Sequence, residues 1–315
     1  MIYNIKVKTY ILIYFISFSV LLIFVINSRK KSDFILNQFV NENRKINNEI
    51  KQSLQNYNDL NKKKIVGISY SNNIYETQLK YCKKSALEIG KVDYFYDYGP
   101  KDIESDFWQI NYNILVHKRG NGYWLWRPYF IFKTLKEKLK EGDYLIYTDA
   151  TVLYKDNVKI LIDFLEKNDE DMWFYKKSYI EKFYAKRDAL ILMGADDKYY
   201  TETYSYNAAF QIYKKTKFSI KFVEDYLYYS KDIRIITDIP NTLSLPNYNG
   251  FKDNRHDQTI LSILIKKYHL ANSGRTNINY KNINNIESET PFIFCNYKRN
   301  PFKNYDDLKK LCKIK

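Results

Sequence analysis

GNGYWLWRPYFIFKTLKEKLKEGDYLIYTDATVLY, residues 120–154, decides the fold. It reads as a turn, an amphipathic helix, a second turn and a buried strand that ends on a lone carboxylate, Asp149. Pro128 fits the first helical position, where its missing N–H costs nothing. Ile131, Phe132, Leu135 and Leu139 form one apolar stripe, with Lys133, Lys136, Glu137 and Lys140 elsewhere on the surface. Gly142 stops the helix. Residues 144–147 are a compact apolar strand and residues 152–154 resume β character, so the acid interrupts an otherwise apolar segment. Burying an unpaired carboxylate is costly. Asp149 therefore needs a partner, and a bound cation is one. Open α/β sheets bind ligands outside the C-terminal ends of their strands; the alternative for Asp149 is an ordinary turn or capping residue.

Outward from this stretch the pattern stays α/β. Residues 64–70 read as a strand, 74–90 as a helix with Gly90 as its C-cap, and 92–96 as a second strand closed by Asp97-Tyr98-Gly99-Pro100. Strand, helix and strand at this spacing suggest a βαβ unit and a parallel sheet. No GxGxxG follows the first strand, which weakens a dinucleotide fold. Downstream, Asp156 opens a helix over 156–166, and residues 172–175 form a strand. Residues 184–194 form a short helix carrying Lys186-Arg187-Asp188. Residues 205–213 place small side chains inside a strand, where a ligand can approach the backbone. A helix over 216–230, a strand over 233–236 and a loop over 240–251 follow. Asn254-Arg255-His256-Asp257-Gln258 opens a helix over 259–268, with Asp257 suited to its N-cap. A late strand over 291–295 and a helix over 305–313 end the chain.

The chain has 315 residues, 45% of them apolar, enough for one domain of ordinary size plus appendages. Its net charge of +15 is spread among acids and not gathered in a block, and no nucleic-acid-binding motif appears. Lys, Asn, Ile and Tyr abound throughout, as a codon bias would produce. Three cysteines, Cys82, Cys295 and Cys312, show no metal spacing and no disulfide framework. A Cys295–Cys312 bridge is open to them, but the spacing alone does not support it. There is no Asn-x-Ser/Thr acceptor site, which argues mildly against a eukaryotic secretory lumen.

Residues 10–26, YILIYFISFSVLLIFVI, are uncharged and apolar and approach the ~20 residues that cross a bilayer. No small-residue cleavage site follows, so residues 1–28 read as a single-pass anchor and not a signal peptide. Lys6 and Lys8 precede the run, and Arg29, Lys30 and Lys31 follow it. That balance favours a cytoplasmic domain only slightly and leaves the orientation open. Residues 29–63 are a polar, partly helical stem, with Ile46, Ile50, Leu54 and Tyr57 at helical spacing. The globular domain is expected over 64–315.

Four segments resemble the GT-A glycosyltransferases, the DXD-motif sugar transferases. Residues 122–128, GYWLWRP, are similar to their G-x-W-x-W-[KR]-P segment. Residues 147–151, YTDAT, are similar to Y-x-D-x-D or Y-x-D-x-G. Residues 207–213, NAAFQIY, are similar to the N-[AS]-[GA]-F strand beside the donor sugar, and residues 255–258, RHDQ, to the [RH]-x-D-Q start of a late helix. Together they cover residues 64–274 in order. The resemblance implies one α/β domain with a mostly parallel central sheet flanked by helices, behind the anchor and stem. It implies a nucleotide-sugar donor, UDP- or GDP-linked, a glycan, lipid or protein acceptor, and Mn²⁺ or Mg²⁺.

Residue by residue, it implies Asp149 as metal ligand, with Thr151 offering a hydroxyl where the second acid of D-x-D normally stands. His256 is a second ligand or a phosphate contact, or else a helix-leading polar residue. Donor contacts fall to Tyr70 at the base, to Trp126 and Arg127, to Arg187 on the diphosphate, to Asp188 on a sugar hydroxyl, and to Asn207 and Gln258. For Arg187 and Asp188 a surface salt bridge is the competing role, and for Trp124 and Trp126 core packing. Asp257 is the expected catalytic residue. The Thr151 departure keeps a second function open: a degenerate transferase that binds nucleotide or glycan without turnover.

Overall fold

The computed structural model describes residues 38–53, 62–270, 293–296 and 304–314. The apolar run of residues 10–26 lies outside them. Among the described residues no helix is long and apolar enough to cross a membrane. Two compact units are present, Met1–Lys62 and Lys63–Lys315. In the first, residues 38–53 are helical with Ile46 and Ile50 exposed, and Leu54 and Tyr57 lie outside the described residues.

The second unit runs β1 (Ile65–Tyr70), α1 (Glu76–Glu88), β2 (Tyr94–Tyr98), α2 (Trp126–Glu137), β3 (Tyr144–Thr148), β4 (Val152–Tyr154), α3 (Lys159–Lys167), β5 (Met172–Ile180), α4 (Arg187–Leu192), β6 (Tyr204–Lys214), α5 (Lys217–Ser230), α6 (Asp257–Lys267), β7 (Phe294–Asn296) and α7 (Tyr305–Leu311), with short helical turns between. The main sheet has the order β2-β1-β3-β6-β5. β2, β1 and β3 are parallel; β6 runs against β3, and β5 against β6. Four strands thus share one direction, giving the mostly parallel, helix-flanked sheet that the resemblance implies.

β3 is central and every one of its residues is buried. Side chains alternate across a strand, and here the alternation divides two cores. Val66, Ile68, Tyr70, Leu145 and Tyr147 face α2, α5 and α6, while Phe95, Tyr144, Ile146 and Ile212 face α1, α3 and β4. A strand covered on both faces reads as an unbroken apolar run, which is how residues 144–147 read. β4 leaves the main sheet and pairs antiparallel with β7. The Cys295–Cys312 bridge is formed, tying β7 to the end of α7.

Several elements differ from the sequence expectation. Residues 233–236 form a helical turn capped by Asp232, not a strand; a run of β-branched side chains is compatible with one turn when Ile235 and Ile236 are buried. α2 begins two residues before Pro128, which stays harmless because the first N–H groups of a helix lack intrahelical partners. Asp156 bonds the neighbouring Asn157 N–H instead of capping α3, whose N-cap is Val158. α6 begins at Asp257, so that residue is inside the first turn and His256 holds the cap position.

Of the three cysteines, Cys82 is free and buried. In denaturant without reductant, a thiol reagent is expected to modify one cysteine per chain and, after reduction, three. Three before reduction would contradict the bridge.

Candidate functional site

The first turns of α2 and α6 meet at the residue that follows β3. Arg127, second in α2, donates one guanidinium N–H to Asp257 Oδ2 on α6, and a second to Asp149 Oδ1 at 2.9 Å. Tyr147, on β3, donates to the same Asp149 oxygen at 2.8 Å, and Tyr226, on α5, to Asp257 Oδ2 at 2.6 Å. The guanidinium lies over the rings of Tyr147 and Trp126, at 5.2 and 5.3 Å. Burial works against its charge, but Asp257, Tyr147 and Asp149 outweigh it and hold Arg127 protonated. Burial pushes the Asp257 carboxyl above its ordinary range, with Arg127 opposing. One buried cation thus joins two acids supplied by separate elements.

What aims Arg127 is the turn before it. Gly120, Asn121, Gly122, Tyr123 and Trp124 all have positive φ, between 50° and 91°. Such a run is strained for L side chains. The two glycines are required as well as permitted. A Cβ on Gly120 would stand 2.3 Å from the Trp124 ring, and one on Gly122 2.8 Å from Leu115 Cα. The turn is closed by Trp126 Nε1 donating to Gly120 O at 2.9 Å. Tyr70, at the end of β1, stacks on Trp126 at 4.0 Å and accepts from the Asn121 amide. Tyr70 and Trp126 are both buried and form the wall of this corner. Trp124 lies in the left-handed turn and Trp126 at the start of α2, where its indole packs as core.

The floor is β6. Asp149 N donates to Ala209 O at 3.1 Å. Pairing of β5 with β6 slips between Phe174 and Tyr175, whose partners are Gln211 and Asn207. The small residues Ala208 and Ala209 sit inside that slip. Asn207 Oδ1 accepts from Ala209 N at 2.9 Å, and Gln258 Oε1 from Ala208 N at 3.4 Å. The motifs around 127, 149, 207 and 257 therefore converge.

Other expected residues point elsewhere. Thr151 donates to Asn296 on β7 at 3.3 Å. His256 Nδ1 gives its proton to Ile236 O at 2.7 Å, and its Nε2 accepts from Arg119 Nε at 3.0 Å. Those two bonds define a neutral tautomer, in keeping with burial lowering its pKa from 6.5. The imidazole stacks on Trp124 at 5.2 Å, and the backbone of His256 is held at φ 57° and ψ −123°. Asp188 is fully buried and accepts from Thr242 N, Thr242 Oγ1 and Leu243 N at 2.6, 2.8 and 3.2 Å. Arg187 pairs with Asp196 at 2.8 Å and lies over Tyr248 at 4.1 Å. Arg187 and Asp188 therefore hold the loop over 240–251. Asp257, expected as catalytic, is 2% exposed and supports Arg127 from beneath. Tyr226 and Arg119 were not anticipated. Tyr226 stands in no motif, and only the Y-x-D spacing pointed to Tyr147.

The expected metal ligands do not fit a divalent ion. Asp149 Oδ1 already carries Arg127 and Tyr147, Thr151 faces β7, and both His256 nitrogens are engaged. An ion on Asp149 Oδ1, at the usual ~2.1 Å, would lie within about 5 Å of a guanidinium nitrogen. Among the described residues no three His, Cys, Asp or Glu side chains converge to hold a metal.

No family model and no curated protein sequence matches the chain. Similar solved structures include an active-site mutant of LgtC, at 14% identity over 79% of this chain and 95% of that one, with a TM-score of 0.40. The glycosyltransferase GlyE of Streptococcus pneumoniae is 15% identical over 80% of this chain and 60% of its own, with a TM-score of 0.38. Core-mannan synthase A of Aspergillus fumigatus, in an Mn/GDP form, is 11% identical over 65% and 70%, also at 0.38. These are glycosyltransferases, the class the motifs resemble, but at such identities and TM-scores the likeness bears on neither substrate nor mechanism.

Removing one partner of a buried ion pair typically costs about 3–5 kcal/mol. Arg127→Met is expected to lower the unfolding free energy by about that much in urea denaturation, with no loss contradicting its role. His256 has a folded pKa below its unfolded value, so its contribution is present above pH 6.5 and is lost as pH falls toward the folded value. The stability advantage of wild type over His256→Asn should therefore shrink from pH 7 to pH 5. A constant difference would show that His256 does not titrate as its surroundings require.

Proposed function

We propose that the chain is a glycosyltransferase moving a sugar from a UDP- or GDP-linked donor to a glycan, lipid or protein acceptor. The observation that carries this is the convergence of four ordered motifs on the Arg127–Asp149–Asp257 cluster at the C-terminal end of β3. In the transfer, the acceptor oxygen bonds to the anomeric carbon as the bond from that carbon to the diphosphate oxygen breaks. The electron pair leaves with the diphosphate, and the acceptor proton passes to a base. Such a reaction needs positive charge near the leaving phosphate and a fixed acceptor. In this reading the Tyr70–Trp126 wall bounds the base, Asn207 and Gln258 shape the sugar side of β6, and Asp257 with Tyr226 orients Arg127. Arg119, half exposed beside His256 and paired through Nε with Asp238 at 2.9 Å, offers the rest of its guanidinium to the diphosphate.

A second reading, a binding module without turnover, is favoured by one observation: Thr151 stands in place of a second acid and bonds Asn296. For both readings we infer single-pass anchoring through residues 10–26, with the domain in an oxidising compartment, because disulfides persist there. Lysing cells directly into denaturant with an excess of alkylating reagent tests this: three modified cysteines would place the domain on the reducing side, and one would support the oxidising side.

The test of function is hydrolysis or transfer by the full chain with a panel of UDP- and GDP-sugars. Turnover of at least one donor is expected. Binding without turnover would favour the second reading, and neither binding nor turnover would overturn both.

A further inference from the structure

We propose that this site dispenses with a divalent metal and that Arg127 is the resident cation that Asp149 holds at the end of β3. The proposal rests on the donor-site reading above. It comes from what Asp149 Oδ1, the Thr151 hydroxyl and both His256 nitrogens are doing. Asp149 Oδ1 accepts from Arg127 at 2.9 Å and from Tyr147 at 2.8 Å. The Thr151 hydroxyl is committed to Asn296, on a strand that the Cys295–Cys312 bridge secures to α7. His256 cannot swing toward Asp149 without giving up Ile236 O and Arg119. Its ring is also wedged against Trp124 and Tyr123, with centroids at 5.2 and 5.1 Å.

Arg127 is also built in more firmly than an exchangeable ion would be. Its side chain is 5% exposed, and it is bonded to acids on two different elements. It also lies over two aromatic faces, which attract cations. Tyr226 occupies the same Asp257 oxygen as Arg127, so that carboxylate cannot turn away without losing both donors. A guanidinium cannot lose its proton under working conditions. The positive charge at this corner is thus permanent and does not depend on metal supply. The five-residue left-handed turn serves the same end, since it delivers Arg127 one residue after the Trp126 that closes it.

The experiment uses the full chain and two readouts. Manganese alone is titrated and followed by electron paramagnetic resonance, and UDP and GDP affinities are measured by calorimetry in excess EDTA and in millimolar Mn²⁺. We expect no Mn²⁺ site that Asp149→Asn removes, and nucleotide affinities that agree within twofold with and without metal. Mn²⁺ bound equally by wild type and Asp149→Asn, with no effect on nucleotide affinity, counts for the proposal as adventitious binding. A tenfold or greater gain in nucleotide affinity from Mn²⁺, lost in Asp149→Asn, would overturn it. Should neither nucleotide bind under any condition, the donor-site reading falls, while the titration with manganese alone still decides whether Asp149 holds a metal.

Discussion

A single guanidinium tied to two carboxylates organises this domain. Asp149 arrives at the end of a parallel strand, Asp257 at the start of a helix more than a hundred residues later, and Arg127 from the first turn of a third element. None of the three is tolerable alone in such surroundings, because a buried unpaired charge costs several kcal/mol. Each acid is satisfied only if its element docks correctly against α2. The cluster therefore acts as a check on tertiary assembly, in addition to whatever it offers a ligand. The Glu181–Lys266 pair, 1% and 2% exposed, with Ser262 donating to the same Glu181 oxygen, plays a comparable part on another side of α6.

A run of strained backbone lies in the same place. Residues 120–124 and His256 together hold six positive φ angles, four of them on side chains other than glycine. Strain of this kind persists only where the surroundings over-determine it, and it gathers at functional sites. Here the surroundings are identifiable: the Trp126 indole on Gly120 O, the Leu115 backbone against Gly122, and the two hydrogen bonds that hold the His256 ring.

Much of this was legible in the residues, and the limits have physical causes. The apolar run of β3, its terminal acid and the βαβ start could be read because period and burial leave a direct imprint on composition. The convergence of 127, 149, 207 and 257 followed from ordered motifs, not from any one of them. The roles of Arg187 and Asp188 were not legible, because a buried acid that accepts three loop hydrogen bonds looks the same in sequence as one that binds a sugar. The helical turn at 233–236 was hidden by β-branched residues whose burial, set by tertiary packing, overrides local preference. Tyr226 carries no local signal at all: its hydroxyl matters only once α5 lies against α6.

The hydrogen bonds of Asp188 have a further consequence for how the protein breathes. β6 is an interior strand of eleven residues, paired on both sides, and core strands of this kind are the elements that open last to solvent exchange. The loop over 240–251 pairs with no strand and is fastened by the Asp188 carboxylate, by the side-chain oxygens of Asn241 and Asn247, by Tyr248 donating to Asp196 and by the Arg187–Tyr248 stack. Floor and loop are thus held by different interactions: a strand ladder keeps Ala208 and Ala209 in register, whereas the segment that leads into His256 and Asp257 depends on side-chain bonds.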